Sequence, residues 1–344
     1  MGLTNTPFTV GRGMRGEKNL ITDVPGVTVG HVTVCEGDDV RTGVTCVKPH
    51  GGNLFTDKVM AASFVFNGYG KTAGLVQVNE LGTIETPILL TNTLGVGTAF
   101  TAVVKYMMAQ NPEIGGAWGT VNPVVGECND GTLNDIRGLH VTEGHVLDAI
   151  NNCADTFAEG AVGAGTGMCC LGFKGGIGSA SRVVGIDGVI YTVGALVLAN
   201  FGGRGRLMID GRQVGREIAE RDNAADKGSI IMIIATDAPL SERQLGRMAR
   251  RAGVGLSRTG SYMGNGSGDV AIAFTTANRV SHTPEHAVQT YATVCDNFID
   301  PIFDMTAETV EEAIASALWH AKTTTGKGGA TVRGFREALG GETK

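Results

Sequence analysis

The chain has 344 residues, of which 42% are hydrophobic and 18% are charged, a composition typical of a globular protein with a sizeable core. A formal net charge of −6 argues against a nucleic-acid-binding surface, and the lack of any run of 18 apolar residues argues against a membrane-spanning helix. Residues 1–14 lack the apolar segment of a secretion signal, and the seven cysteines follow no CxxC spacing, so we expect a cytoplasmic protein with mostly buried free thiols and no zinc site.

The first part of the chain predicts short strands and one buried helix. Residues 27–34 and 43–47, joined by an acidic turn, predict a β-hairpin. The apolar residues of 97–110 have helical spacing, and Asn111-Pro112 should end that helix. Three further strands are expected, at residues 61–66, 73–78 and 87–91.

The middle of the chain is richer in glycine. Residues 119–126 are expected to be extended, and 141–153 to form a second helix. The many glycines of 160–188 indicate close approach of neighbouring backbone or β-bulges, and 189–198 predicts another strand.

The last third predicts more helix than strand. Ser241 and Gln244 form a capping box for a helix that should stop at Gly253 or Gly255. A turn at residues 264–269 precedes a strand at 270–274, and two terminal helices are expected at 284–298 and 309–322. Helices would then cover both faces of a layered structure, whose sheets should be mixed or antiparallel.

The stretch around Gly228-Ser229 could carry chemistry. A polar segment at residues 220–227 leads into the buried apolar strand 230–235. Ser229 would be held rigidly at the start of that strand, and Gly228 allows a strained backbone with an accessible carbonyl. Ser229 could therefore attack the Gly228 carbonyl by an N-to-O acyl shift, and the freed α-amine could then activate its own hydroxyl. The alternative is an ordinary Gly-Ser turn at the start of a core strand.

Three familiar motifs are incomplete. Residues 67–72 suggest a P-loop, but Val65 stands where its first glycine should be, so a hairpin turn is favoured. Residues 163–168 lack the third glycine of a dinucleotide fingerprint. Residues 282–286 match the letters of an HxxEH zinc motif, but Pro284 favours a helix start that leaves His282 outside the helix.

Several motifs together resemble those of the DmpA-type self-processing aminopeptidases. This family includes the L-aminopeptidase/D-Ala-esterase/amidases, the β-peptidyl aminopeptidases and the nylon-oligomer hydrolases. The resemblance covers nearly the whole chain and is carried by residues 22–31, 86–93, 173–178, 227–229, 235–240 and 265–269. It implies a single α/β domain over residues 1–344, a four-layer αββα sandwich similar in layering to the N-terminal-nucleophile hydrolases, with the connectivity of the DmpA and ornithine-acetyltransferase type. It also implies self-cleavage between Gly228 and Ser229 into an α chain (1–228) and a β chain (229–344), which remain together as a homotetramer.

The resemblance also implies catalytic roles. Ser229 would be the nucleophile, and Ser267 with Asp269 would help to move its proton; some relatives have the longer glutamate at the position of Asp269. Asn200 matches an asparagine whose side chain donates to the oxyanion, although a turn-forming role at the end of a strand is the simpler alternative.

Three more residues would contact the substrate. Glu127 matches an acidic residue that receives the free ammonium group, and a buried carboxylate is well suited to select a cation. Asn129 stands where the best-known relatives have tyrosine, which leaves substrate preference open. Lys174 lies in a segment resembling an active-site strand, but it could equally point outward.

These residues predict a hydrolase that releases N-terminal residues from short peptides, amino-acid amides or esters through an acyl-enzyme, without metal or organic cofactor. Nucleic acid and membrane partners are not expected. Two alternatives remain. An acetyl-transfer enzyme of the ornithine-acetyltransferase type would typically have threonine in place of Ser229, and a non-catalytic relative of the same fold could serve in binding or assembly.

Overall fold

The computed structural model describes residues 8–218 and 227–340. Its helices are α1 (Leu75–Leu81), α2 (Val96–Gln110), α3 (Glu143–Asn151), α4 (Val214–Ile218), α5 (Glu242–Arg258), α6 (Asp300–His320) and α7 (Phe335–Ala338). Its strands are β1 (Thr28–Glu36), β2 (Val40–Lys48), β3 (Asp57–Gly68), β4 (Thr83–Ile84), β5 (Ile88–Asn92), β6 (Val124–Cys128), β7 (Cys169–Cys170), β8 (Phe173–Lys174), β9 (Gly176–Ile186), β10 (Val189–Phe201), β11 (Lys227–Thr236), β12 (Gly266–Ser281), β13 (Thr324–Thr325) and β14 (Thr331–Val332).

Two mixed sheets form the centre of the molecule. The smaller has the order β1-β2-β5-β6, and the larger has the order β4-β3-β12-β11-β10-β9. One pair in each sheet is parallel, β5 with β6 and β11 with β12, and the other pairs are antiparallel. The expectation of mixed or antiparallel sheets is therefore confirmed.

The side chains of the strands alternate between two hydrophobic layers, as expected for sheets covered on both faces. Ile231 and Ile233 of β11 pack between the two sheets, while Ile230 and Met232 face α5 and α6. On the far side of the smaller sheet, α2 and α3 cover a third apolar layer. The layer order is thus helix, sheet, sheet, helix, and the predicted αββα sandwich is confirmed.

Many of the predicted elements are present. The first hairpin is β1 with β2, the long apolar runs are β3, β10 and β11, and helices α2 and α3 lie where the apolar spacing indicated. Ser241 caps α5 with the expected capping box, since its side chain accepts a hydrogen bond from the main-chain N–H of Gln244. All seven cysteines lie within the described residues and none forms a disulfide; Cys46, Cys128 and Cys170 are buried.

The strand predicted at residues 73–78 is wrong, because most of this segment belongs to helix α1. Gly74 and Gly82 flank that helix, and both adopt left-handed backbone conformations that start and stop it sharply. Leu75 and Val78 are buried three residues apart, whereas Val76 is exposed. With only seven residues, the helix is too short to show a clear period in the sequence.

The predicted end of α5 at Gly253 or Gly255 is also wrong, since the helix continues to Arg258. Both glycines serve close packing instead. A Cβ at Gly255 would collide with the carbonyl of Ala307 on α6, and one at Gly253 would collide with the ring of Phe66.

The helix predicted at residues 284–298 is absent, apart from a single 3₁₀ turn at Asp296–Phe298. The segment uses main-chain groups to bind other elements. Val294 donates its N–H to the Pro239 carbonyl, and its own carbonyl accepts from the side chain of Gln244. Val288 is 83% exposed, and Tyr291 and Val294 pack against the core from a chain that is not helical.

The last helix, predicted at 309–322, begins earlier, at Asp300, and ends at His320. The polar segment predicted at 220–227 lies, except for its last residue, outside the described residues. Across the described parts of the chain, no helix has the length and apolar composition needed to span a bilayer.

Candidate active site

Ser229 lies on β11, an interior strand of the larger sheet. It pairs with Asn200 on the antiparallel neighbour β10 and with Gly268 on the parallel neighbour β12. The strand begins at Lys227, two residues earlier than the sequence suggested. The bond between Gly228 and Ser229 therefore lies within the ladder of hydrogen-bonded strands, rather than in a loop before it.

Gly228 has a backbone conformation that favours glycine strongly. Its φ angle is +118°, and a Cβ there would collide with the main-chain carbonyl of Asn200 on the adjacent strand. Side chains other than hydrogen are therefore excluded both by conformation and by space. Strand pairing on both sides holds the carbonyl of this residue in a fixed position.

The hydroxyl of Ser229 contacts its own preceding peptide group. Its Oγ donates a hydrogen bond to the Gly228 carbonyl at 2.7 Å and accepts one from the Gly268 N–H at 3.3 Å. Ser229 is only 5% exposed. The hydroxyl thus lies beside the peptide bond that an N-to-O acyl shift would break.

Asn200 is held by two main-chain groups. Its Oδ1 accepts from the Cys169 N–H at 2.8 Å, and its Nδ2 donates to the Asn129 carbonyl at 3.0 Å. Because both ends of the carboxamide are bound, its orientation beside Ser229 is fixed. The simple turn-forming alternative does not fit, since Asn200 lies within β10 rather than after it.

Ser267 and Asp269 flank Gly268 on β12 and are fully buried. The Ser267 hydroxyl donates to Asp269 Oδ1 at 2.6 Å, so the two side chains form one polar unit. Gly268 between them leaves room for Ser229, because a Cβ there would lie 3.0 Å from Ser229 Oγ and 2.9 Å from the Cα of Gly70.

Glu127 lies near the end of β6 and is 2% exposed. Its Oε1 accepts from the Lys71 N–H at 2.7 Å, and its Oε2 accepts from the Thr93 hydroxyl. These donors hold the carboxylate, but no basic side chain pairs with it among the ion pairs of the described residues. Its negative charge therefore remains available for a cation in the cleft.

A cleft of about 410 Å³ joins these groups, a volume that suits a small ligand. Ser229, Asn200 and Glu127 all lie on its walls. Its other lining residues are Tyr69, Lys71, Thr93, Asn129, Thr132, Cys169, Gly172, Gly202, Gly228 and Gly266.

Two residues that were expected to contact the substrate are less well placed to do so. Asn129 lines the cleft, but its side chain accepts the Gly131 N–H at 2.9 Å and so closes its own turn. Lys174 is fully buried and does not line the cleft, which excludes the outward orientation. Burial lowers the pKa of the Lys174 ammonium to about 8, because desolvation disfavours its charged form.

Sequence reasoning missed the loop at residues 69–71. This loop follows β3 and lies between Gly268 and Glu127, since a Cβ at Gly70 would come within 3.4 Å of both. The sequence predicts a hairpin turn here, but helix α1 follows the loop instead of a second strand. The paired glycines at 68 and 70 were the available signal, because glycine often marks close backbone approach.

Comparison with known families agrees with this geometry. The family model described as peptidase family S58 matches residues 19–332, which is most of the chain. The chain belongs to peptidase family S58. The family resemblance drawn from the sequence motifs is thereby confirmed, and a peptidase family favours hydrolysis over acetyl transfer.

Similar proteins extend this result. A beta-peptidyl aminopeptidase of Sphingosinicella microcystinivorans is 42% identical, over 93% of this chain and 86% of its own length. A crystal structure of a Pyrococcus horikoshii OT3 protein has a TM-score of 0.94 and 51% identity, covering 98% of this chain and 97% of that one.

A third similar structure is the L-aminopeptidase D-Ala-esterase/amidase from Ochrobactrum anthropi. It has a TM-score of 0.89 and 38% identity, and covers 96% of this chain and 94% of that one. That protein is described as a prototype for the serine aminopeptidases and as a new variant of the Ntn hydrolase fold. The predicted fold class and the predicted class of enzyme, a serine aminopeptidase, are both confirmed.

Proposed function

We propose that this chain cleaves itself between Gly228 and Ser229 and then releases N-terminal residues from short peptides, amino-acid amides or esters. The observation that carries the proposal is the 2.7 Å hydrogen bond from Ser229 Oγ to the Gly228 carbonyl, within a cleft that also contains Asn200 and Glu127. The proposed products are an α chain of residues 1–228 and a β chain of residues 229–344.

Self-cleavage would proceed in two steps. Ser229 Oγ bonds to the Gly228 carbonyl carbon, the bond from that carbon to the Ser229 nitrogen breaks, and the hydroxyl proton passes to the nitrogen. Water then hydrolyses the ester, which leaves a carboxylate on Gly228 and a free α-amine on Ser229. The pairing of Gly228 with Phe201 in the sheet holds its carbonyl beside the Ser229 hydroxyl, and this fixed contact favours the attack.

The new α-amine is the proposed general base. Its reference pKa of about 7.7–8.0 lies close to neutral pH, so a useful fraction is unprotonated there. Ser267 pairs with Gly228 in the parallel register and donates to Asp269. We assign this buried pair to holding the amine and relaying its proton.

Glu127 would select the substrate by its free ammonium group. The carboxylate is buried and held by the Lys71 N–H and the Thr93 hydroxyl, which keeps it in one position. An ammonium group would neutralise it, whereas an acylated amine would not. Substrates with a blocked N-terminus should therefore be poor.

The chemical step would pass through an acyl-enzyme. Ser229 attacks the substrate carbonyl, and Asn200 Nδ2 donates its second N–H to the developing oxyanion while the first stays bound to the Asn129 carbonyl. The amine or alcohol leaves with a proton, and water releases the acid. These steps require neither metal nor organic cofactor.

Further features of the proposal come from resemblance. The related enzymes include beta-peptidyl aminopeptidases and an L-aminopeptidase D-Ala-esterase/amidase, so substrates with α-, β- and D-residues form the first panel to test. We also propose a cytoplasmic homotetramer of two-chain units, which light scattering on the purified protein would check.

The decisive experiment is an intact-mass measurement of purified protein beside a Ser229→Ala variant. Two species whose ends are Gly228 and Ser229, absent from the variant, are expected, and only the wild type should hydrolyse an aminoacyl 4-nitroanilide. A Ser229→Ala protein that hydrolysed this substrate at the wild-type rate would refute the proposal.

A further inference from the structure

Lys174 is an unusual lysine, because it is fully buried and bonds three main-chain carbonyls. Its Nζ donates to Gly165 at 3.0 Å, to Met168 at 2.7 Å and to Gly175 at 2.8 Å. Lysine has three N–H donors and no acceptor, so these three bonds use every donor that it has. The ammonium thus binds the segment 165–168 to the start of β9.

The bound segment leads directly to Asn200. Cys169, the next residue, donates its N–H to Asn200 Oδ1 at 2.8 Å. Cys169 is also the strand partner of Lys174 in the two-stranded ladder of β7 and β8. A hydrogen bond from the Gly175 N–H to the Met168 carbonyl also joins these two segments. We call residues 165–169 and 174–175, held together by these bonds, the lysine-bound unit.

The direction of the Asn200 amide depends on the lysine-bound unit, because Cys169 belongs to it. Its Oδ1 and Nδ2 are attached to one planar carbon, so fixing Oδ1 against Cys169 also fixes where Nδ2 points. An oxyanion donor must be aimed before the reaction, because reorganisation during the reaction reduces its benefit. A small displacement of Cys169 would therefore turn the Nδ2 donor away from the oxyanion.

We propose that Lys174 is a positioning residue of the oxyanion donor: its ammonium fixes the main chain up to Cys169, which in turn aims the Asn200 side chain. The inference rests on the proposed function, since it assumes that Asn200 stabilises the oxyanion. It replaces the expectation of a direct substrate contact, because Lys174 does not line the cleft.

The test uses processed enzyme and an aminoacyl 4-nitroanilide. Lys174→Met keeps the length of the side chain but removes all three donors, so three carbonyls each lose one hydrogen bond, although those of Met168 and Gly165 keep a main-chain donor. We expect kcat to fall at least tenfold while KM stays within twofold, because the oxyanion exists only in the transition state. Lys58→Met is the matched control, since it also removes a bound ammonium group, paired with Glu85, and should leave kcat within twofold.

A double-mutant cycle separates positioning from general loss of structure. In an Asn200→Ala background, Lys174→Met should lower kcat by less than twofold, because no donor remains to be aimed. An equal fall in both backgrounds would overturn the inference, as would a rise in KM that persists without Asn200. Lys174→Gln, which keeps two donors, carries the same cycle if Lys174→Met gives no folded protein.

Failure of the proposed function gives a different result. If Asn200→Ala alone left kcat unchanged, the oxyanion assignment itself would be wrong. If Asn200→Ala lowered kcat but both variants at Lys174 did not, only the positioning role would be rejected.

Discussion

Asn200 lies directly opposite Ser229 across the antiparallel pair of β10 and β11, and its carboxamide is bound at both ends before any substrate enters. Neighbouring interior strands hold the two residues, so their separation is set by the sheet and not by a flexible loop. This arrangement gives the first prediction.

Replacing Asn200 with alanine should lower kcat by about 10²–10³-fold with little change in KM, because a single oxyanion donor acts mainly in the transition state. Steady-state kinetics on the processed enzyme with an aminoacyl 4-nitroanilide would measure the effect. Asn151→Ala, at an exposed position at the end of α3, is the control and should behave as wild type. A loss confined to KM would contradict the assignment.

Replacing Glu127 with glutamine should weaken the selection for a free amine. The carboxamide oxygen can still accept from the Lys71 N–H, and its NH2 group can donate to the Thr93 hydroxyl, but it no longer offers a negative charge to the substrate. A hydrogen bond to a charged group contributes about 1.5–3 kcal/mol, so kcat/KM for free-amine substrates should fall roughly 10- to 100-fold.

The decisive question is whether the fall in kcat/KM is confined to substrates with a free amine. The ratio of kcat/KM between a free-amine ester and its N-acetyl form should shrink in Glu127→Gln and stay unchanged in Glu80→Gln, an exposed acid on α1. An equal loss on both substrates would show that Glu127 supports the structure rather than recognises the ammonium.

Replacing Gly228 with alanine should block self-processing. The methyl group would collide with the Asn200 carbonyl and would also force an L-residue into a φ of +118°. Gly188→Ala tests the effect of the positive φ without the collision, because Gly188 has a φ of +79° but open space around its Cβ position.

Both glycine variants should lose stability in thermal denaturation, but only Gly228→Ala should remain a single intact chain by mass spectrometry. Normal processing of Gly228→Ala would mean that the sheet does not hold this peptide bond as described.

A fourth prediction concerns pH and stability, at a site remote from the cleft. The Glu159 side chain is 2% exposed, accepts from the Ser179 N–H at 2.7 Å and the Ser316 hydroxyl at 2.6 Å, and lies 3.6 Å from His320. Desolvation raises its pKa to about 7, and the charge of Glu312 acts in the same direction. Burial also lowers the pKa of His320, so this histidine does not offer a full compensating charge at neutral pH.

Proton linkage gives the direction in which folding stability changes with pH. The folded state binds the Glu159 proton more tightly than the unfolded state, so the stabilisation is fully present below pH 4.5 and is lost as pH rises through about 7. Glu159→Gln should therefore gain stability relative to wild type between these values, on the order of 3 kcal/mol at neutral pH. Denaturant titrations at pH 4.5 and 7.5, made in the uncut Ser229→Ala background so that refolding is unimolecular, would measure this; equal differences at both pH values would contradict it.

The sequence predicted the larger elements because their signals are strong. The apolar run of 230–235 and the capping box of Ser241 have direct physical meaning, and both elements formed as expected. Helix α1 was missed because left-handed glycines, not a long apolar period, define it. The segment 284–298 was misassigned because its main-chain groups bind other elements, and a sequence pattern does not reveal such partners.

The candidate site was also predictable only in part: its side chains could be predicted from the sequence, but its main-chain donors could not. Ser229, Asn200 and Glu127 could be identified as a set because their side chains belong to motifs of a known family, and the structure brings all three to one cleft. Their supporting donors, such as the N–H groups of Lys71, Cys169 and Gly268, come from the main chain. Every non-proline residue has such a group, so only the fold can show which ones are used.

The strand order of the larger sheet affects whether the molecule can refold after it has been cut. β12 and all but the first two residues of β11 come from the part that begins at Ser229, yet β3 and β10, from the part before it, enclose these strands on both sides. A cut before Ser229 would leave every strand with its neighbours, but folding of the uncut chain is unimolecular, whereas the two pieces would have to find each other. The mature molecule would then keep its shape because it unfolds slowly, rather than because it readily folds again.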